Sequence, residues 1–359
     1  MPRRSVFSVT SSALSRAYQS SLRALTKATL RNSKRIAGQV TRAAAKQLKP
    51  PPGPGDWIAG MAFGPAGARR FHLFRPPTPP PASGVRAESP TSRRMPLLVM
   101  LHGCGQTGRD FAASTRMNRL AVREGFMVLY PEQDRLANAQ GCWNWYDARS
   151  GKAAAEAATL MAAIDQVSQL YLVDRERVAV AGLSAGAGMA ALLGSRYPTR
   201  FKAVAMHSGV GPGAAQSAAS ALGAMRGRRA PAMPAASVAA LAAAAMEGGS
   251  VLPPLMVVHG TIDAVVSERN AGAAAEVWAQ AIGAERTVPR YVQRGKRRPM
   301  RVTDFQRDGR TLVTLCEVAG LGHAWSGGAA QLAFGDAEGP DATKLIWAFA
   351  EKQFDTGRG

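Results

Sequence analysis

Cysteine is scarce in this 359-residue chain, which has only Cys104, Cys142 and Cys316. Three irregularly spaced thiols exclude a disulfide-stapled miniature domain and a zinc site of the CxxC kind. Acidic side chains are also few, 24 against 45 Lys and Arg, which leaves a formal net charge of +21. That excess is uneven, because residues 1–49 hold eleven Lys or Arg and no acid. Long apolar runs are missing too, and none approaches the roughly 20 residues of a membrane span. A secretory leader needs about 7–15 uninterrupted apolar residues. The segment after Arg3-Arg4 is instead broken by serines and then by Arg16 and Arg23. The chain is therefore expected to be unexported and cytoplasmic. What is present is ample hydrophobic material, 46% of residues against 19% charged, enough for a large core and no basis for wholesale disorder.

Leu14, Tyr18, Leu22, Leu25, Ile36 and Val40 recur at helical spacing, with Arg16, Arg23, Lys27, Arg31, Lys34 and Arg42 opposite. Residues 1–49 thus read as a basic amphipathic helical extension. The proline- and glycine-rich stretch that follows stops it and makes residues 50–56 a stiff linker. Residues 57–355 read as one catalytic domain. Partial alternation over residues 70–74 predicts an edge strand, residues 76–81 a surface loop, and the apolar run 97–101 a buried strand. Strand 126–130, helix 154–170, strand 178–181 and helix 186–197 follow in alternation. That order predicts an α/β fold whose mostly parallel sheet is covered by helices on both faces. Segments 204–206, 255–258 and 311–318 add strands, and 341–354 closes the domain as a helix. Residues 211–249 form an Ala- and Gly-rich insertion, either a cap or a surface excursion.

Gly182-Leu183-Ser184-Ala185-Gly186 matches G-x-S-x-G. In a chain about a tenth glycine the pattern alone is weak, but here it lies between a strand and a helix, the setting of a nucleophile elbow. A serine hydroxyl needs a base, and the base an orienting acid. After Ser184 come His207, His259 and His323. No acid separates His207 from the serine, and only Glu247, inside the insertion, precedes His259. His323 remains as the base. Asp263, just after strand 255–258, is the expected acid, whereas Asp304 and Asp308 read as solvated loop charges. His207 and His259 read as structural. Backbone N–H groups of Ala185 and of Cys104, in the glycine-rich loop after strand 97–101, are the candidates for binding an oxyanion. His102 then shapes that loop, and Cys316 is core. The chemistry calls for no cofactor or metal.

Taken together, Leu101-His102-Gly103-Cys104 with Gln106, Gly141-Cys142-Trp143-Asn144-Trp145, the serine motif, His259-Gly260 with Asp263, and Gly322-His323-Ala324-Trp325 resemble the poly(3-hydroxybutyrate) depolymerase family of esterases. Its catalytic-domain type also occurs in some feruloyl and acetylxylan esterases. The resemblance spans residues 57–354. It implies an α/β-hydrolase fold, the same triad and oxyanion groups, and a shallow aromatic-lined site for a polymer chain or a short ester. It also implies that Cys104 and Cys142 pair in exported members, bringing the Trp143–Trp145 loop beside the oxyanion hole; a reducing cytosol would oppose that bond. Trp145, Trp325 and Asn144 are the candidate substrate contacts.

Where exported members have a leader and a polymer-binding domain, this sequence has the basic helix, suited to an amphiphilic boundary. The expected partner is a polyester storage granule, together with other granule-coat proteins. The nearest alternative is a feruloyl, acetyl or short-chain esterase. A second is a granule- or nucleic-acid-binding protein that uses the +11 arm, with nucleic acid the less favoured partner. Pure binding would not require an ordered Ser, Asp and His.

Overall fold

A computed structural model describes residues 51, 53–77, 94–211, 213–227 and 252–355. The expected basic helix, most of the proline loop, residues 228–249 of the insertion and residues 250–251 lie outside the described residues.

The described chain begins with an antiparallel hairpin, β1 (Asp56–Gly64) and β2 (Gly67–Arg75), followed by β3 (Met95–Leu101). Helices α1 (Gly108–Thr115) and α2 (Met117–Glu124) lead to β4 (Met127–Pro131), and α3 (Lys152–Leu170) leads to β5 (Val173–Leu183). Then come α4 (Ala185–Arg196), β6 (Ala203–His207), α5 (Ala218–Met225), β7 (Leu255–Gly260) and α6 (Arg269–Ala281). The short β8 (Glu285–Arg286) and β9 (Arg290–Val292), the hairpin β10 (Met300–Arg307) and β11 (Arg310–Val318), and α7 (Ala342–Asp355) finish the domain. A two-residue parallel pair, β12 (Trp325–Ser326) and β13 (Gly335–Asp336), lies apart from the main sheet.

Strands β4, β3, β5, β6, β7 and β11 are parallel neighbours in that order, with β2 and β10 antiparallel at the two sides. Because β3 is covered on both faces it is a continuous apolar run rather than an alternating one. Leu97, Val99 and Leu101 belong to the core layer shared with α3, α4 and α6, whereas Leu98 and Met100 belong to the layer shared with α1, α2 and α7. The parallel strands all point the same way, so the loops after β3, β5, β6, β7 and β11 gather at one edge. In open α/β sheets that edge carries the ligand site.

The alternation of strand and helix read from the sequence holds, and two differences have plain causes. β1 went unread because its apolar residues are diluted by Gly60 and Gly64, and Met61 and Phe63 face solvent. Asp304 is not a solvated loop charge: it is buried in β10, accepting a hydrogen bond from the Thr314 hydroxyl (2.8 Å) and pairing with Arg290. Asp308 does sit in the exposed β10–β11 turn, at φ 53°.

Four of the five histidines, His72, His102, His207 and His259, are buried. Burial pushes His102 down to about 4, against the pull of its bond to the Gly103 carbonyl. It pushes His207 down to about 3, with His259 and His323 nearby adding to the effect. In the unfolded chain both return to about 6.5. Below that pH the unfolded state takes up protons that the fold refuses, so stability is full above it and falls as pH drops toward 4 and 3. Each histidine should cost about 2 kcal/mol by pH 5. Urea midpoints at pH 7 and pH 5 measure this, and His207→Gln should flatten the difference; identical midpoints in the unaltered protein would show that these rings are not held neutral.

Candidate active site

Ser184 occupies the single position between β5 and α4, with φ 56° and ψ −119°. A non-glycine residue held there costs about 1–3 kcal/mol. Close approach of the flanking segments maintains it. A Cβ on Gly182 would lie 2.2 Å from the Gly186 carbonyl oxygen, and one on Gly186 would lie 2.1 Å from that of Leu101. Glycine is therefore required on both sides of the turn. The Ser184 amide donates to the His207 carbonyl (2.9 Å), and the Ser184 carbonyl accepts from Ala187 and Gly188.

His323, in the loop after β11, lies with Nδ1 2.7 Å from Asp263 Oδ2. A carboxylate only accepts, so Nδ1 carries the proton and Nε2 of the neutral ring is left as an acceptor. The other Asp263 oxygen accepts from the amides of Val265 (2.9 Å) and Val266 (2.8 Å). Burial tends to raise this carboxyl, but the His323 and Val266 hydrogen bonds outweigh it and hold its pKa below the ordinary value. His259 Nε2 donates to the Val266 carbonyl (2.8 Å), closing the same turn from behind. His207 accepts at Nε2 from the Ser326 amide (3.1 Å), which fixes its proton on Nδ1, toward Ser208. The two further histidines thus support the turns on either side rather than competing as bases.

Ala185 begins α4, so its amide has no acceptor within the helix. In the loop after β3, Gly103 N–H donates to the Gln106 side chain, Gly105 N–H to Gln140 O and Gln106 N–H to Gly103 O. The Cys104 amide is left out of these loop bonds. Gly103 is packed against the serine turn: a Cβ added to it would lie 3.6 Å from that of Ser184. Cys104 and Cys142 are bonded to each other, the pairing the family resemblance implies for exported members. Ser184, Ala185, Cys104 and Cys142 line a cavity of about 360 Å³, walled by Trp145, Tyr146, Leu222, Met225 and Val266 among others.

Of the candidate substrate contacts, Trp145 is on this wall, its ring pressed on Gly188. Trp325 is not. It is fully buried, stacked on His207 and hydrogen-bonded through its indole N–H to Thr343 (3.0 Å). Asn144 is not on the wall either, being buried with its amide on Glu156 (2.6 Å). Both work behind the site, because a loop rich in aromatics and amides does not announce from sequence which side chains turn inward. The reading missed Leu222 and Met225 on α5. They belong to the insertion, whose described first part forms cavity wall and whose alanine-rich sequence carries no strong helical stripe. Among the described residues no three His, Cys, Asp or Glu side chains gather as a metal-binding group.

With this geometry in hand, known proteins give a consistent picture. The Esterase PHB depolymerase family matches residues 86–285, more than half of the chain. Poly(3-hydroxyalkanoate) depolymerase C of Paucimonas lemoignei is 35% identical over 115 residues, 32% of this chain and 28% of that protein. Feruloyl esterase B of Neurospora crassa is 29% identical over 195 residues, 53% of this chain and 66% of its own. The chain thus spans under two thirds of either relative. An acetyl xylan esterase structure from Aspergillus awamori superposes with a TM-score of 0.58 at 20% identity, over 76% of this chain and 94% of that one. This likeness shows the fold, that of an α/β hydrolase. Through the match over residues 86–285, the chain belongs to the Esterase PHB depolymerase family.

Proposed function

We propose that the protein is a serine esterase in which Ser184 attacks an ester carbonyl, His323 takes and returns the proton, and Asp263 holds His323 in the working tautomer. The observation that carries this reading is the strained Ser184 turn on the wall of an apolar cavity. As Ser184 Oγ bonds to the carbonyl carbon, its proton passes to His323 Nε2. The oxyanion receives the Cys104 and Ala185 amides. Collapse expels the alcohol with the proton from His323, and a water then repeats the sequence on the acyl-enzyme.

Poly(3-hydroxybutyrate) or its oligomers is the proposed substrate. The cavity suits a short, branched acyl unit, and exposed apolar side chains lie on the segments that carry the candidate residues. Leu222 lines the cavity, Ile262 and Val265 flank Asp263, and the Phe334 ring lies 6.2 Å from that of His323. These exposed apolar groups suit contact with a water-insoluble polyester. The basic segment 1–49 would hold the enzyme on intracellular granules. A specific observation favours a second reading: the Cys104–Cys142 bond belongs with oxidising compartments, where an exported feruloyl or acetyl esterase would act.

Ser184→Ala should lower turnover of a p-nitrophenyl ester by at least about 1,000-fold with an unchanged circular dichroism spectrum; undiminished turnover refutes the assignment. Incubating the unaltered protein with native granules, and separately with feruloylated and acetylated sugars, should release 3-hydroxybutyrate in preference to ferulate or acetate. The reverse preference selects the second reading. Deleting residues 1–49 should spare soluble-ester turnover while reducing sedimentation with granules, and equal sedimentation would discard the docking role. Ile262→Asp should slow attack on amorphous polyester more than on p-nitrophenyl acetate, as measured by film clearing against spectrophotometric rate.

A further inference from the structure

Glu156, on α3, is buried and belongs neither to the cavity wall nor to the serine turn. Three N–H groups converge on its carboxylate. Oε1 accepts from the side chains of Gln133 (2.8 Å) and Asn144 (2.6 Å), and Oε2 accepts from the Asn144 backbone (2.9 Å). Every donor comes from residues 133–144, the segment that carries Cys142 and leads into Trp145. The Gln133 side chain also donates to the Cys142 carbonyl (2.9 Å), and Asn138 donates to Asn144 (2.9 Å). One carboxylate thus gathers a stretch of loop that has no helix or strand of its own.

Arg69 on β2 carries a positive charge that interacts electrostatically with Glu156. Its guanidinium is buried, makes no hydrogen bond among the described residues and lies 6.0 Å from the Trp143 ring. Burial pushes its pKa down, and the negative charges of Glu156 and Asp134 pull the other way. Burying a carboxylate is costly unless its oxygens are hydrogen-bonded. Three N–H donors reach that of Glu156.

The network continues to the oxyanion loop. The Gln133 backbone N–H donates to His102 Nε2 (3.1 Å), so the His102 proton is on Nδ1, where it donates to the Gly103 carbonyl (2.8 Å). The Trp143 indole holds the His102 carbonyl (3.1 Å). The peptide joining Gly103 to Cys104 is planar, so a held Gly103 carbonyl aims the Cys104 N–H in the opposite direction. We infer that Glu156 is a positioning residue for the reaction, aiming the Cys104 N–H at the oxyanion through Gln133 and His102 and bracing the Trp145 wall through Asn144. This rests on the serine-esterase reading above.

Glu156→Gln keeps the shape but turns one acceptor into a donor, which must then face either the Asn144 amide or the Gln133 and Asn144 side-chain donors. Titration of the site with a p-nitrophenyl phosphonate, which bonds to the serine and places its phosphonyl oxygen in the oxyanion hole, separates positioning from folding. In Glu156→Gln the phosphonylation rate, and kcat per titrated site on p-nitrophenyl acetate, should each fall about 10- to 100-fold, with KM within about twofold. A purely structural role would reduce the number of titratable sites and leave kcat per site unchanged, and that outcome overturns the proposal. Gln133→Met preserves volume and deletes the side-chain link, so it should lower kcat per site in the same way even if Glu156→Gln does not fold; a wild-type value there is equally fatal. Failure of the unaltered protein to label at Ser184 would instead refute the esterase reading, and this role with it.

Discussion

The first turn of α4 is pressed against the end of β3 so tightly that no side chain fits between them. A Cβ on Gly186 would meet the Leu101 carbonyl at 2.1 Å and that of His102 at 2.6 Å. Everything at the site follows from this contact. It accompanies the positive-φ conformation of Ser184, it keeps Gly103 close against the serine turn, and it brings the ends of two neighbouring parallel strands together. The strain of about 1–3 kcal/mol is local, while the packing that imposes it is spread over β3, β5 and the helices on both faces. A loop could not hold such a turn. A strand end and a helix start, each fixed by a buried sheet, can.

That division explains what was legible in the sequence. β3, residues 178–183 of β5, and β7 are apolar runs too short for helices, and their order with the intervening helices gives the parallel sheet. Ser184, Asp263 and His323 could be named because each follows a readable strand, and the structure brings Asp263 and His323 to 2.7 Å. Side chains in the long segment between β4 and α3 were not legible in the same way. Asn144 looks like a substrate group in sequence and is structural in space, because Glu156 draws its side-chain amide inward. The pairing that decides its direction lies on a different helix, and no local pattern records it. Likewise α5 forms cavity wall, yet its run of alanines carries no mark of which face is used.

The histidines show the same logic at the level of protons. His102, His207 and His259 each have one ring nitrogen assigned by a backbone partner, an amide donor for the first two and a carbonyl acceptor for the third. Burial holds all three below their ordinary pKa. Neutral rings of known tautomer serve as rigid two-ended connectors, and they join loops that arise far apart in the chain. His207, for instance, ties the serine turn to Ser326, three residues beyond His323. His323 differs because its acidic partner orients the ring through Nδ1 while its second nitrogen makes no structural bond among the described residues.

The Cys104–Cys142 bond ties the loop after β3 directly to the segment before α3. Glu156 instead orders residues 133–144 from within, and that segment reaches the same loop through the Gln133 backbone N–H and the Trp143 indole, both bonded to His102. If the bond alone held the oxyanion loop, the site would depend on the redox state of its compartment. A buried carboxylate with three donors and a nearby guanidinium does not respond to thiols. A cytoplasmic granule enzyme could keep the loop in place with the cysteines reduced, and an exported esterase would have both constraints. The two readings of where the protein works therefore make different demands on one pair of sulfur atoms, while the demand on Glu156 is the same in each.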